Sequence, residues 1–128
     1  MQKVYVAVFE KDPVGYGIYF PDVEGAVTQG STIAEGMENA SDALGIMLAD
    51  LIENSVPLPK ATAINDVVIE NEHQFKTLIS VDLMDYLKES VLDKKTVKVP
   101  HWLNVRATKA NINFSKTLSD ALIEKLGV

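Results

Sequence analysis

Cysteine is absent from the 128 residues. That excludes disulfides, thiolate metal sites and thiol nucleophiles, and permits a reducing compartment. Histidine is almost absent as well. His73 and His101 are far apart, and neither has ligand or nucleophile spacing around it, so no catalytic or metal histidine is expected. No apolar run approaches the roughly 18 residues of a transmembrane helix, and residues 1–7 lack the apolar core of a signal peptide. A soluble, cytoplasmic protein without a membrane partner is the expectation. The glycines of Gly15-Tyr16-Gly17 form no phosphate loop and read as hairpin glycines. Internal repeats and low-complexity tracts are also missing.

Basic residues are scarce over most of the chain, and this scarcity is the main signal. Residues 1–93 hold 16 of the 18 carboxylates but only 5 of the 12 Lys and Arg, a net of −11. Residues 94–128 hold the other 7 cations and 2 acids, a net of +5, so the overall −6 hides a basic tail. A positive field suits a polyanion such as DNA, and an acidic body suits a basic partner. Two clients are expected. A hydrophobic content of 47% marks the chain as globular. Its length suffices for one ordinary domain or two small ones.

Residues 3–9 alternate Val4, Val6 and Val8 with Tyr5, Ala7 and Phe9, which predicts a strand covered on both sides. Residues 10–15 form a turn by composition, residues 16–20 the second strand of a hairpin, and residues 26–29 a short third strand. Thr32 and Glu35 have capping-box spacing. Behind them Ile33, Met37, Ala40, Leu44, Met47, Leu48 and Leu51 make one apolar stripe, predicting a helix to about Asn54. Gly36 and Gly45 weaken that helix by up to ~1 kcal/mol each, and are explained if it lies close against a sheet. Residues 60–73 read as a polar connection with an apolar stretch, Val67-Val68-Ile69, whose structure the pattern does not assign, residues 75–83 as a fourth strand and residues 84–90 as a short helix. The charge changes sign at Asp93-Lys94-Lys95.

The last segment reads as strand, helix and helix, over residues 94–99, 102–110 and 114–126. Such a piece buries little core alone, and its strand needs a partner strand, most simply from a second copy. Val97 and Val99 point one way along that strand, and Lys94, Thr96 and Lys98 the other. Two such strands paired antiparallel make a ribbon that fits the major groove, with Lys94, Thr96 and Lys98 reading bases. Lys95 and Lys116 are expected on phosphates. Asn113 or Ser115 opens the last helix, where free amides can hold a phosphate, although either is also an ordinary N-cap. Val97, Val99, Trp102, Leu118 and Leu122 are the expected dimer core. A solvated edge strand whose lysines deter aggregation is the plainer alternative for the ribbon.

The acids Glu10, Asp12, Asp22 and Glu24 all fall in predicted turns. They could gather a metal, stand as solvated turn carboxylates, or form an acidic rim for a basic protein; the rim is the preferred functional reading. Tyr16 and Tyr19 are candidate anchors beside it, because aromatics are favoured at interface centres.

The run from Tyr16-Gly17 through Phe20-Pro21-Asp22 to Val27-Thr28-Gln29-Gly30, followed by Thr32, Glu35 and Asn39-Ala40, resembles the HicB antitoxins. The likeness is close over residues 3–59. Ala26 departs from the cysteine common there, a change that keeps a small residue and loses only thiol chemistry. The resemblance implies an α+β protein. Residues 1–83 would be a truncated ribonuclease H-like domain of three or four strands and one helix, which binds and silences a small basic RNA-cleaving HicA toxin. Residues 84–93 would link it to a ribbon-helix-helix segment at 94–128 that binds operator DNA as a homodimer and represses its own operon. Two dimers on a two-part operator are the larger assembly this allows. The first two predicted strands carry no internal carboxylate, so the fold resemblance brings no nuclease activity with it; no catalytic residue, metal or cofactor is expected. Two other readings stand beside this one. One is an orphan ribbon-helix-helix regulator whose first domain binds a ligand or oligomerises, and the other is a metal-dependent nuclease relying on Asp22 or Glu24.

Overall fold

Five consecutive buried residues, Tyr5, Val6, Ala7, Val8 and Phe9, place the first strand inside the protein. A strand turns successive side chains to opposite faces, so a run buried throughout requires cover on both. In the computed structural model, which describes residues 1–87 and 92–128, β1 (Gln2–Asp12) lies inside a four-stranded sheet of order β3-β2-β1-β4. β2 is Gly15–Tyr19, β3 Val27–Gly30 and β4 Gln74–Asp82, and every pairing is antiparallel. The chain divides into two units, Met1–Ser90 and Val91–Val128.

On one face of the sheet Tyr5, Ala7, Phe9 and Ile18 meet α1 (Ile33–Glu53) through its Ala40, Leu44 and Leu48. Phe9 stacks on Phe75 at 4.9 Å between ring centroids, and Tyr16 meets both rings edge-on. Thr32 caps the helix, its Oγ1 accepting the Glu35 amide at 3.1 Å. The buried residues of α1 include both interior glycines. A Cβ on Gly36 would stand 2.9 Å from Phe9 and Ile18, and one on Gly45 2.6 Å from the Tyr86 ring. The helix approaches that closely only because these two positions have no side chain. Ile33 and Met37, from the apolar stripe, are instead exposed at the start of the helix.

The other face is covered by the long connection. Val67 packs on Val6 and Val8, with Ile64 and Tyr19 beside them. The connection contains a single 3₁₀ turn, Ile64–Asp66, and is fastened at both ends. Asp22 accepts the amide and hydroxyl of Thr62, both at 2.7 Å, and the Lys76 ammonium donates to the Val67 carbonyl at 2.8 Å. The segment predicted as a polar tether is therefore a second layer of core. The short helix expected over residues 84–90 runs into residues 88–90, outside those described. Its described beginning is a 3₁₀ turn, Leu83–Asp85.

In the second unit, α2 (His101–Lys109) and α3 (Phe114–Leu126) are joined by a tight turn. Asn113 caps α3 by accepting the Lys116 amide at 3.0 Å, and Gly127 ends it in the left-handed conformation at φ 72°. Residues 92–100 form no strand within the single chain. Neither helix has a buried residue.

Candidate functional site

The four carboxylates expected in turns have distinct environments, and two of them are not in a turn: Glu10 and Asp12 lie on β1, whose pairing with β2 continues to Asp12, whereas Asp22 and Glu24 are in the turn after β2. Asp12 closes the hairpin, accepting the amides of Val14 and Gly15, both at 2.8 Å. Glu10 accepts from the side-chain amides of Asn71 and Gln74, both at 3.2 Å. Asp22 holds Thr62, as above. Glu24 is exposed in the turn between β2 and β3. Three of the four thus serve the fold while keeping their charge at the surface. Tyr16 and Tyr19 are both half-buried and lie on opposite faces of the sheet, so the six candidates do not converge on one patch.

The acidic surface extends beyond them. From residue 12 through residue 59 the sequence contains eight carboxylates and no Lys, Arg or His. Glu35, Glu38 and Asp42 stand on the first turns of α1, and Asp50 near its end. Asp42 accepts the Tyr86 hydroxyl at 2.9 Å. Burial, and then that hydrogen bond and the nearby carboxylate charges, raise the Tyr86 phenol above its ordinary value. The uninterrupted absence of cations over these residues was the sequence signal for this helix surface; attention to turns alone missed it. Among the described residues, no three His, Asp or Glu side chains group as metal ligands.

The second unit presents a different chemistry. Val97, Val99, Leu103, Ile112, Phe114 and Leu118 line an apolar hollow of about 440 Å³. Trp102 and Leu122 are 62% and 52% exposed, which leaves the expected dimer core open in the single chain. Lys95 lines the same hollow as the two valines, whereas Lys94, Thr96 and Lys98 are exposed and absent from its wall. Odd- and even-numbered residues of this stretch thus differ in whether they line the hollow. Asn113 is engaged as an N-cap, Ser115 stands on the first turn of α3, and Lys116 reaches Asp120 at 2.9 Å across one helical turn.

An acidic α+β unit is thus followed in the chain by a small basic helical unit with an open apolar hollow. The profile of the HicB-like antitoxin of bacterial toxin-antitoxin systems matches residues 5–126, and the chain belongs to that family. Among solved structures it is similar to a toxin-antitoxin complex from Streptococcus pneumoniae, at 34% identity and a TM-score of 0.62, covering 98% of this chain and 99% of that one. It is also similar to the antitoxin HicB of Burkholderia pseudomallei, at 25% identity and a TM-score of 0.61, over 98% of both chains. A chain of a HicA3 and HicB3 toxin-antitoxin complex matches at 26% identity and a TM-score of 0.53, over 62% of this chain and 99% of that one. No described helix is long and apolar enough to cross a membrane.

Proposed function

We propose that this chain is the antitoxin of a HicA/HicB-type pair, a cytoplasmic and non-enzymatic protein with two separate binding surfaces. The first unit captures and neutralises a small basic RNA-cleaving toxin. The second dimerises, inserts a two-stranded ribbon into operator DNA and represses the operon. The observation that carries this reading is the division of charge, −11 over residues 1–93 and +5 over residues 94–128, in a chain of the HicB-like family. The strand order and the single helix on one face support a truncated ribonuclease H-like first unit. The apolar hollow beside an exposed strand-like segment supports a ribbon-helix-helix second unit, completed by another copy of the chain. Lys94, Thr96 and Lys98 then read bases; Lys95, Lys116 and the start of α3, at Asn113 and Ser115, meet phosphates.

The test is co-expression with the small basic protein encoded beside this chain, followed by size-exclusion chromatography with light scattering. A stable complex with a protein that is toxic alone is the expected result. No complex, with tight and salt-sensitive operator binding by a dimer, would make the chain an orphan regulator instead.

A further inference from the structure

The sheet ends on β4, and the direction of its backbone groups follows from the bonds at either end. The Leu83 amide donates to the Met1 carbonyl and the Lys11 amide to the His73 carbonyl, which makes the odd-numbered residues of β4 the ones bonded to β1. The even-numbered residues therefore turn their N–H and C=O groups away from the sheet. Ser80 bears this out, since its carbonyl accepts the Ser41 hydroxyl at 2.7 Å from outside the β1–β4 ladder. Gln74 is likewise turned, its amide bonding Asn71. Between them, the backbone groups of Lys76 and Leu78 and the Ser80 amide make no hydrogen bond to any described residue. The other edge is blunted: β3 is 4 residues long, and Asn39 of α1 bonds its Gln29 carbonyl.

Leu78 on this open edge is 51% exposed, and Val4, diagonal to it on the same face, is 46% exposed. A long edge with exposed apolar side chains is a template for another strand. Its surroundings select the partner. Glu70 and Glu72 precede β4, and at its other end Asp85 is exposed beside Asp82, which the Met1 ammonium group meets at 3.3 Å. Antiparallel pairing with a second copy about Leu78 would bring the glutamate end of each chain against the aspartate end of the other, so like charges oppose self-association. A cationic strand meets attraction at both ends. We infer that the open edge of β4 accepts an extended strand of a basic protein partner, adding a fifth strand to the sheet. This rests on the antitoxin reading and identifies where the toxin's backbone docks.

Amide hydrogen exchange by NMR tests it on the full chain, free and in complex with the basic toxin encoded beside it. The amides of Lys76, Leu78 and Ser80 should exchange fast in the free protein and at least tenfold slower in the complex, with Thr77 and Ile79 protected in both. A complex that leaves those three amides fast sinks the docking edge but not the antitoxin. Failure to form any complex sinks both. Protection that grows with concentration in the free protein gives the edge to a second copy and overturns the proposal. Leu78→Pro removes an outward N–H together with the exposed leucine side chain and breaks no bond to β1, and should weaken toxin binding at least tenfold while the free protein keeps its circular dichroism spectrum. Unchanged affinity would also overturn the proposal.

Discussion

At the scale of single residues, several side chains join segments that are distant in sequence. Asp22 accepts two hydrogen bonds from Thr62, forty residues on, and holds the connection that covers Val6 and Val8. Asp22→Ala should cost about 1–2 kcal/mol in urea unfolding, the range for bonds to a charged group at a partly solvated site. An unchanged midpoint would show that Val67 and Ile64 hold the layer without it. Tyr5 donates to the Pro59 carbonyl. Burial, and secondarily the Asp22 charge, raise its phenol above the ordinary value. The folded protein therefore keeps this proton more tightly than the unfolded chain. The associated stability is whole below about pH 10, the unfolded value, and is lost as pH rises through the folded one. Tyr5→Phe should flatten the alkaline limb of the stability profile and cost about 1 kcal/mol at neutral pH. Asp82 behaves in the opposite sense. The Met84 amide first, and then the N-terminal ammonium group, lower its pKa. Its contribution is whole above about pH 4 and is lost as pH falls through the lowered value.

At the scale of elements, local patterns and capping residues predicted most of what formed. The alternation at residues 3–9 lies within a strand, Gln2–Asp12, that is buried on both faces over residues 5–9, and α3 runs Phe114–Leu126 as the sequence pattern indicated. Periodicity was less informative about which face of α1 packs. Hydrophobic side chains marked a stripe from Ile33, whereas the closest contacts are made at glycines, which carry no hydrophobic signal. Gly30 and Gly36 bring β3 and α1 into close approach: a Cβ on Gly30 would meet the Gly36 backbone at 2.5 and 2.6 Å. Backbone cannot rotate aside as a side chain can, so Gly30→Ala should destabilise the protein by about 2–3 kcal/mol despite the better strand propensity of alanine. Thermal unfolding of the variant is the check, and a gain in stability would show that α1 can lift off β3. The connection at residues 60–73 was unreadable for a related reason. Only Ile64 and Val67 of that mostly polar stretch pack on the second face, and two isolated contacts make no period.

At the scale of the whole molecule, two units of opposite charge share one chain. The second unit has no buried helical residue and a hollow of about 440 Å³ lined with apolar side chains, so its stability should depend on protein concentration. Leu118→Asp puts a charge in that hollow and should convert a dimer to a monomer in sedimentation equilibrium; a variant that stays dimeric would place the interface elsewhere. Lys98→Ala removes one cation from the exposed side of the ribbon segment. It should lower operator affinity and, if Lys98 meets a phosphate rather than a base, also reduce the salt slope by about one. Toxin binding should be unchanged, and its loss would contradict the separation of the two surfaces.

The sequence by itself determined the charge division, the four strands of the sheet and the three α-helices to within a few residues, and the family motifs, because these depend on residues near one another in the chain; the strand expected over residues 94–99 did not form in the single chain. Tertiary structure alone decided the rest. It bonded Glu10 to Asn71 and Gln74 and Asp22 to Thr62, and left the outward backbone groups of Lys76 and Leu78 on β4 without a partner among the described residues. The Glu10 and Asp22 bonds join residues 40 or more positions apart in the chain, and no local pattern records such a meeting.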